Sequence, residues 1–153
     1  MRSFIFILFL GLASAACTSN NKEVSSYIDS EIIDIWDNGQ PMLIRLYAIV
    51  DGKKTVVKEV HYYASGSKKM EGPIVNDMRE GKWTSWYEDG SIWSIGTFTE
   101  GLRSGKGIVY YPNGTVFMEG AYIEGKRSGN WIWNDTTGKS IPESEAVYPG
   151  SPL

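Results

Sequence analysis

Between Tyr62 and Trp133 the chain alternates short runs of mixed apolar and polar residues with glycine-bearing turns, and the whole pattern repeats. Three copies lie in register: YYASGSKKMEGPIVNDMREGKWTS, WYEDGSIWSIGTFTEGLRSGKGIV and YYPNGTVFMEGAYIEGKRSGNWIW. Tyr62, Trp86 and Tyr110 share one position, and the spacing is 24 residues (86 − 62 and 110 − 86). Gly66, Gly90 and Gly114 share another, as do Gly72, Gly96 and Gly120, Arg79, Arg103 and Arg127, and Gly81, Gly105 and Gly129. Alternating runs of strand length with frequent turn signals predict an antiparallel meander, two strands per copy. A period of two puts Trp83, Ser85 and Tyr87 on one face, and Thr84, Trp86 and Glu88 on the other. In the partner strand it sets Ile92, Ser94, Gly96 and Phe98 against Trp93, Ile95 and Thr97. Aromatic residues on both faces argue against a conventional sandwich and for repeats that pack against their neighbours.

The turns are of two kinds. Tyr111-Pro112-Asn113-Gly114 has Asn-Gly where φ > 0 is needed, and Glu88-Asp89-Gly90 and Ala64-Ser65-Gly66 take the same place. Glu124 to Gly129 reads as a wider turn with two glycines, matched by Glu100 to Gly105 and Asn76 to Gly81. Asp77 replaces the first glycine there, and Pro73, with no N–H for a ladder, stands inside a strand of the first copy. Upstream, Tyr27 to Trp36, Met42 to Val50 and Thr55 to Tyr63 read as strands, joined at Asp37-Asn38-Gly39 and Asp51-Gly52. Residues 27–61 thus form N-terminal hairpins, with 36–61 a degenerate preceding repeat, and 62–139 hold the regular array. Residues 140–153, with three prolines, read as an irregular tail or terminal cap.

The first residues follow another pattern. Met1-Arg2, an apolar stretch from Phe4 to Leu12 and the small residues Ala13 to Ala16 read as a signal peptide over 1–16. The apolar stretch is shorter than the roughly 20 residues of a membrane-spanning helix. Cys17, the single cysteine in the chain, follows directly. The arrangement resembles a bacterial lipoprotein signal, which implies lipidation of Cys17, although Ser14 stands where that family prefers an aliphatic residue. A polar tether over 17–26 would then join anchor to domain. The implied location is the bacterial cell envelope, on the outer membrane, with the membrane a partner through the N-terminal lipid.

Composition changes this picture little. The chain has 153 residues, a net charge of −3 and an excess of aromatics (9 Tyr, 6 Trp, 5 Phe) alongside 17 Gly. Without a dense basic patch, nucleic acid is not an expected partner.

Two motifs make the architecture specific. Gly96-x-Phe98-x-x-Gly101-x-x-x-Gly105-x-Gly107, followed by Tyr110-Tyr111-x-Asn113-Gly114, resembles MORN repeats. Glu119-Gly120-x-Tyr122-x-x-Gly125-Lys126-x-x-Gly129-x-Trp131 is similar to the bacterial MORN variant, seen in toxin–antitoxin-type repeat proteins. The resemblance implies an all-β, single-layer antiparallel sheet that grows by one hairpin per repeat.

Catalytic and metal chemistry find little footing. His61 is the single histidine, and with one cysteine no zinc set is expected. Gly101 to Gly107 and Gly138-Lys139-Ser140 lack phosphate-loop spacing. Glu71 and Glu119 recur at one strand position but read as lysine-paired sheet residues. The expected protein is therefore not an enzyme and needs no cofactor or metal.

The candidate surface consists of Lys69, Trp93 and Phe117, which share a position but differ in character, together with Trp83, Trp131 and Trp133. Arg79, Arg103 and Arg127, with neighbouring lysines, form a candidate basic edge, either for solubility or for anionic headgroups or an acidic partner. The expected function is a binding or scaffold module for an unidentified protein or membrane-associated partner. The alternatives are a glycan- or peptidoglycan-binding module using Trp and Tyr stacking, and an antitoxin or immunity protein.

Overall fold

A computed structural model describes residues 26–150. The signal peptide, Cys17 and the tether up to residue 25 lie outside the described residues.

The chain forms one open antiparallel sheet. Its strands are β1 (Asp29–Ile35), β2 (Pro41–Val50), β3 (Lys53–Tyr62), β4 (Lys68–Val75), β5 (Met78–Arg79), β6 (Gly81–Trp86), β7 (Ile92–Thr99), β8 (Leu102–Tyr110), β9 (Val116–Ile123), β10 (Lys126–Asn134) and β11 (Ser140–Ile141). Sequence order is spatial order throughout, apart from β5, which pairs only with β4. The expected single-layer meander is the fold.

One end of the sheet is a stack of five equivalent turns. Gly39, Gly66, Gly90, Gly114 and Gly138 all have φ between 82° and 88°. Each donates its N–H to the carbonyl three residues back, of Trp36, Tyr63, Tyr87, Tyr111 and Asp135 in turn. The array therefore extends one turn beyond each end of the three regular copies.

At the opposite end the hairpins close through two-residue turns: Asp51-Gly52, Asn76-Asp77, Glu100-Gly101 and Glu124-Gly125, all with φ > 0. This is the mirror-image turn whose twist matches that of the strands. The wider turn expected over 124–129 is thus a correction. The chain turns within two residues, and the second glycine sits in the following strand. There Thr97 pairs with Ser104 but Gly96 with Gly107, a slip of two residues that bends the strand. Asp77 fits because Asp tolerates the left-handed region (φ 60°). Pro73 has a visible effect. Its carbonyl accepts from the Glu80 N–H at 3.1 Å, it has no N–H to return, and at Glu80 the strand divides into β5 and β6.

The two faces differ. One carries the row Ile44, Val60, Glu71, Thr84, Ile95, Ile108, Glu119 and Ile132 across paired strands. Both glutamates are lysine-paired there: Glu71 with Lys58 (3.2 Å) and Lys68 (2.8 Å), and Glu119 with Lys106 (2.6 Å). Val60 is buried within this row, and the other face holds the two buried clusters. Ile74, Trp83 and Phe98 form one buried cluster, and Trp93, Val109, Tyr111 and Phe117 a second.

Glycines make this face possible. A Cβ on Gly72 would stand 2.3 Å from the Trp83 ring, and one on Gly120 would stand 2.4 Å from Trp131. The rings lie flat on bare backbone, so among the described residues the apolar layer is built on a single sheet. After β11, the short 3-10 turn Glu143–Glu145 leads the tail back over this face. Ala146 packs on the second cluster, and the Tyr148 ring meets Phe117 edge-on at 5.4 Å. The tail caps a face as well as extending the edge.

Candidate functional site

The aromatic face gathers most of the residues singled out by sequence, and corrects the expected exposure of several. Trp83 (3%), Trp93 (4%) and Phe117 (0%) are buried, so they are core residues and not an open surface. Trp131 and Trp133 are half-buried, and Lys69 is also half-buried with its ammonium over the Tyr63 ring.

The shared position of Lys69, Trp93 and Phe117 has a structural meaning. Ser85 pairs with Ser94, but Trp86 pairs with Ile92, leaving Trp93 as the extra residue of a β-bulge. Lys69 and Phe117 take the same place between β3 and β4 and between β8 and β9. A bulge breaks the alternation. Trp93 thereby joins Ser94 and Phe98 on one face, where simple alternation had set it opposite them, and Ser94 is 5% exposed beside it.

The arginines do not line an edge. They lie on the aromatic face, interleaved with its rings. The Arg79 guanidinium is 4.3 Å from the Trp83 ring centre and 5.6 Å from that of Phe98. Arg103 lies 5.3 Å from Phe98 and 5.4 Å from Tyr122. Arg127 lies 5.5 Å from both Trp131 and Trp133. The register produces this ladder, because Ile74 pairs with Arg79, Phe98 with Arg103 and Tyr122 with Arg127. Such contacts strengthen as the cation is desolvated. Burial pushes the Arg79 pKa below its ordinary value, the Arg103 charge adds to that, and Glu59 opposes it.

The repeats are joined by a second ladder at the turn end. Trp36 Nε1 donates to Tyr62 O (3.1 Å), Tyr63 OH to Trp86 O (2.7 Å), Tyr87 OH to Tyr110 O (2.7 Å) and Tyr111 OH to Asn134 O (3.0 Å). Each aromatic opens one turn and holds the carbonyl just before the next. Asp135 takes the place of the aromatic in the last turn. Burial and neighbouring charge push the Tyr87 pKa up to about 12, and burial raises Tyr63 and Tyr111 as well.

Between Arg79 and Arg103 lies a cleft of about 110 Å³, lined also by Met70, Trp83, Ser85, Trp93, Ser94, Gly96 and Phe98. Ser85 and Ser94 were not foreseen as site residues. The available signal was their pairing across adjacent strands, and it becomes visible once the register is known. The role of Glu143, which bonds Arg127 at 2.9 Å, depends on the return of the tail and has no local signature.

Comparison with known proteins agrees with this geometry. Residues 79–100 match the MORN repeat variant, and residues 95–116 match the MORN repeat. No curated protein matches the chain.

Proposed function

We propose that this chain, a MORN-repeat protein, is a non-enzymatic binding or scaffold module that is lipid-anchored through Cys17 in a bacterial cell envelope and holds a protein partner on its arginine-aromatic face. The observation that carries the reading is the ladder of Arg79, Arg103 and Arg127 between aromatic rings on one face of a rigid sheet. Planar cations flanked by rings offer both contact area and directed donors at small entropic cost, the composition of interface hot spots. The anchoring part rests on the leader and the position of Cys17. A glycan reading draws less support, because Trp83 and Trp93 are buried and the half-buried Trp131 and Trp133 already carry Arg127 over their rings.

The test is crosslinking of the tagged full-length protein in intact cells, followed by fractionation and identification of what is attached. Wild type is expected in the membrane fraction with a reproducible protein adduct, and Cys17→Ser is expected to leave that fraction. A Cys17→Ser protein that still sediments with membranes would contradict the anchor, and the absence of any protein adduct would contradict the binding role.

A further inference from the structure

We propose that the cleft between Arg79 and Arg103 is a carboxylate-binding site that takes an acidic side chain of the protein partner. It rests on the binding role above and gives that role its chemistry.

Three features of the cleft converge. Arg79 and Arg103 are both half-buried and both stand by the Phe98 ring, at 5.6 and 5.3 Å from its centre. Neither is ion-paired among the described residues. Glu59, the acid that acts on Arg79, is engaged by Arg45 at 3.0 Å and lies 3.4 Å from His61. Two like charges held together and partly out of water are unfavourable until an anion sits between them.

The indole of Trp93 is the second feature. The residue is 4% exposed and lines the cleft, and its Nε1 is buried without a hydrogen-bond partner. An orphaned buried donor carries a desolvation penalty that a bound acceptor removes. With the Ser85 and Ser94 hydroxyls, the lining offers donors from three residue types around one opening.

Size is the third. About 110 Å³ against roughly 30 Å³ per water in the liquid gives room for about four water-sized groups, which matches a methylene bearing a carboxylate.

The chain itself shows what a ladder arginine takes. Where the tail returns over β10, Arg127 Nη1 donates to Glu143 Oε1 at 2.9 Å, and Pro142 and Ile141 lie alongside. The returning tail thus sets one glutamate, the first residue of its 3-10 turn, on the third arginine. Arg79 and Arg103 offer the same chemistry with the acid still to be supplied.

The experiment uses full-length protein with ¹⁵N-labelled tryptophan and follows the indole N–H resonances, with that of Trp93 assigned from Trp93→Phe. The probes are N-acetyl-Gly-Glu-Gly-amide and its Gln counterpart. The Trp93 resonance is expected to move saturably with the Glu peptide and to stay still with the Gln peptide. Sodium acetate is expected to compete. Arg79→Gln and Arg103→Gln are each expected to weaken the response about tenfold, the loss of one charge-assisted hydrogen bond, while Arg127→Gln changes it less than about twofold. An unmoved resonance of Trp36, whose indole donates to the Tyr62 carbonyl at the turn end and touches none of the three arginines, reports an intact fold in each variant. Equal responses to the Glu and Gln peptides, or equal weakening by Arg127→Gln, would overturn the site. A silent Trp93 in a protein that still yields its cellular adduct would also overturn the site, while leaving the binding role standing.

Discussion

At the scale of single residues, the sheet depends on two kinds of position that carry little chemistry of their own. Gly72 is the clearer. Its backbone is ordinary for a strand, and its requirement is space, because a Cβ would stand 2.3 Å from Trp83. Gly72→Ala is expected to lower stability by about 1–3 kcal/mol, the range for overpacking a fitted core, as measured by urea unfolding. A loss under about 0.3 kcal/mol would mean that the ring is free to shift. The tyrosines of the turn ladder are the other kind. Tyr87→Phe keeps the ring and leaves the Tyr110 carbonyl without its donor, at an expected cost of about 1–2 kcal/mol in the same assay. The ladder also fixes a pH dependence. Tyr87 is held neutral in the fold, with its pKa pushed up from 10.0 to about 12. Between those values the unfolded chain has released a proton that the folded chain keeps, so stability falls as pH rises. Melting temperatures taken from about pH 9 to 11.5 should decline in wild type and decline less in Tyr87→Phe.

At the scale of the element, the repeat unit explains what the sequence could and could not disclose. The period of 24 and the recurrent glycines made the meander legible, because local turn chemistry and strand alternation are written in neighbouring residues. The faces were less legible. Trp93 broke the expected alternation because a single-residue bulge is a matter of pairing between strands, which sequence spacing alone does not record. The same holds for the arginines. Their recurrence was plain, but their seat on the rings depends on a register that slips by two residues at each Gly81-type position. The tight turns read as wide in the sequence for a related reason, since both glycines have positive φ but only the first belongs to the turn. Asn76-Asp77 tests that distinction. Both residues are left-handed, and Gly stands at the second place in the other three hairpins. Asp77→Gly should therefore stabilise the protein by up to about 1 kcal/mol, seen as a higher urea midpoint with an unchanged slope. A lower midpoint would contradict the turn assignment.

At the scale of the whole molecule, the sheet has one face that is built and one that is dressed. The built face carries the buried clusters, the arginine ladder and the returning tail, while the other carries lysine–glutamate pairs and an aliphatic row. A single layer without a second sheet needs some way of covering its apolar side. The protein uses arginines over rings, rings over glycines, and Ala146 and Tyr148 of its own tail. Face-resolved photocrosslinking tests partner binding on the arginine-aromatic face. A photoreactive residue is placed at Lys69, on the built face beside Tyr63, or at Thr97, exposed on the other face. After illumination of intact cells, a protein adduct is expected from position 69 and none from position 97. An adduct from 97 alone, or equal adducts from both, would contradict partner binding on the arginine-aromatic face.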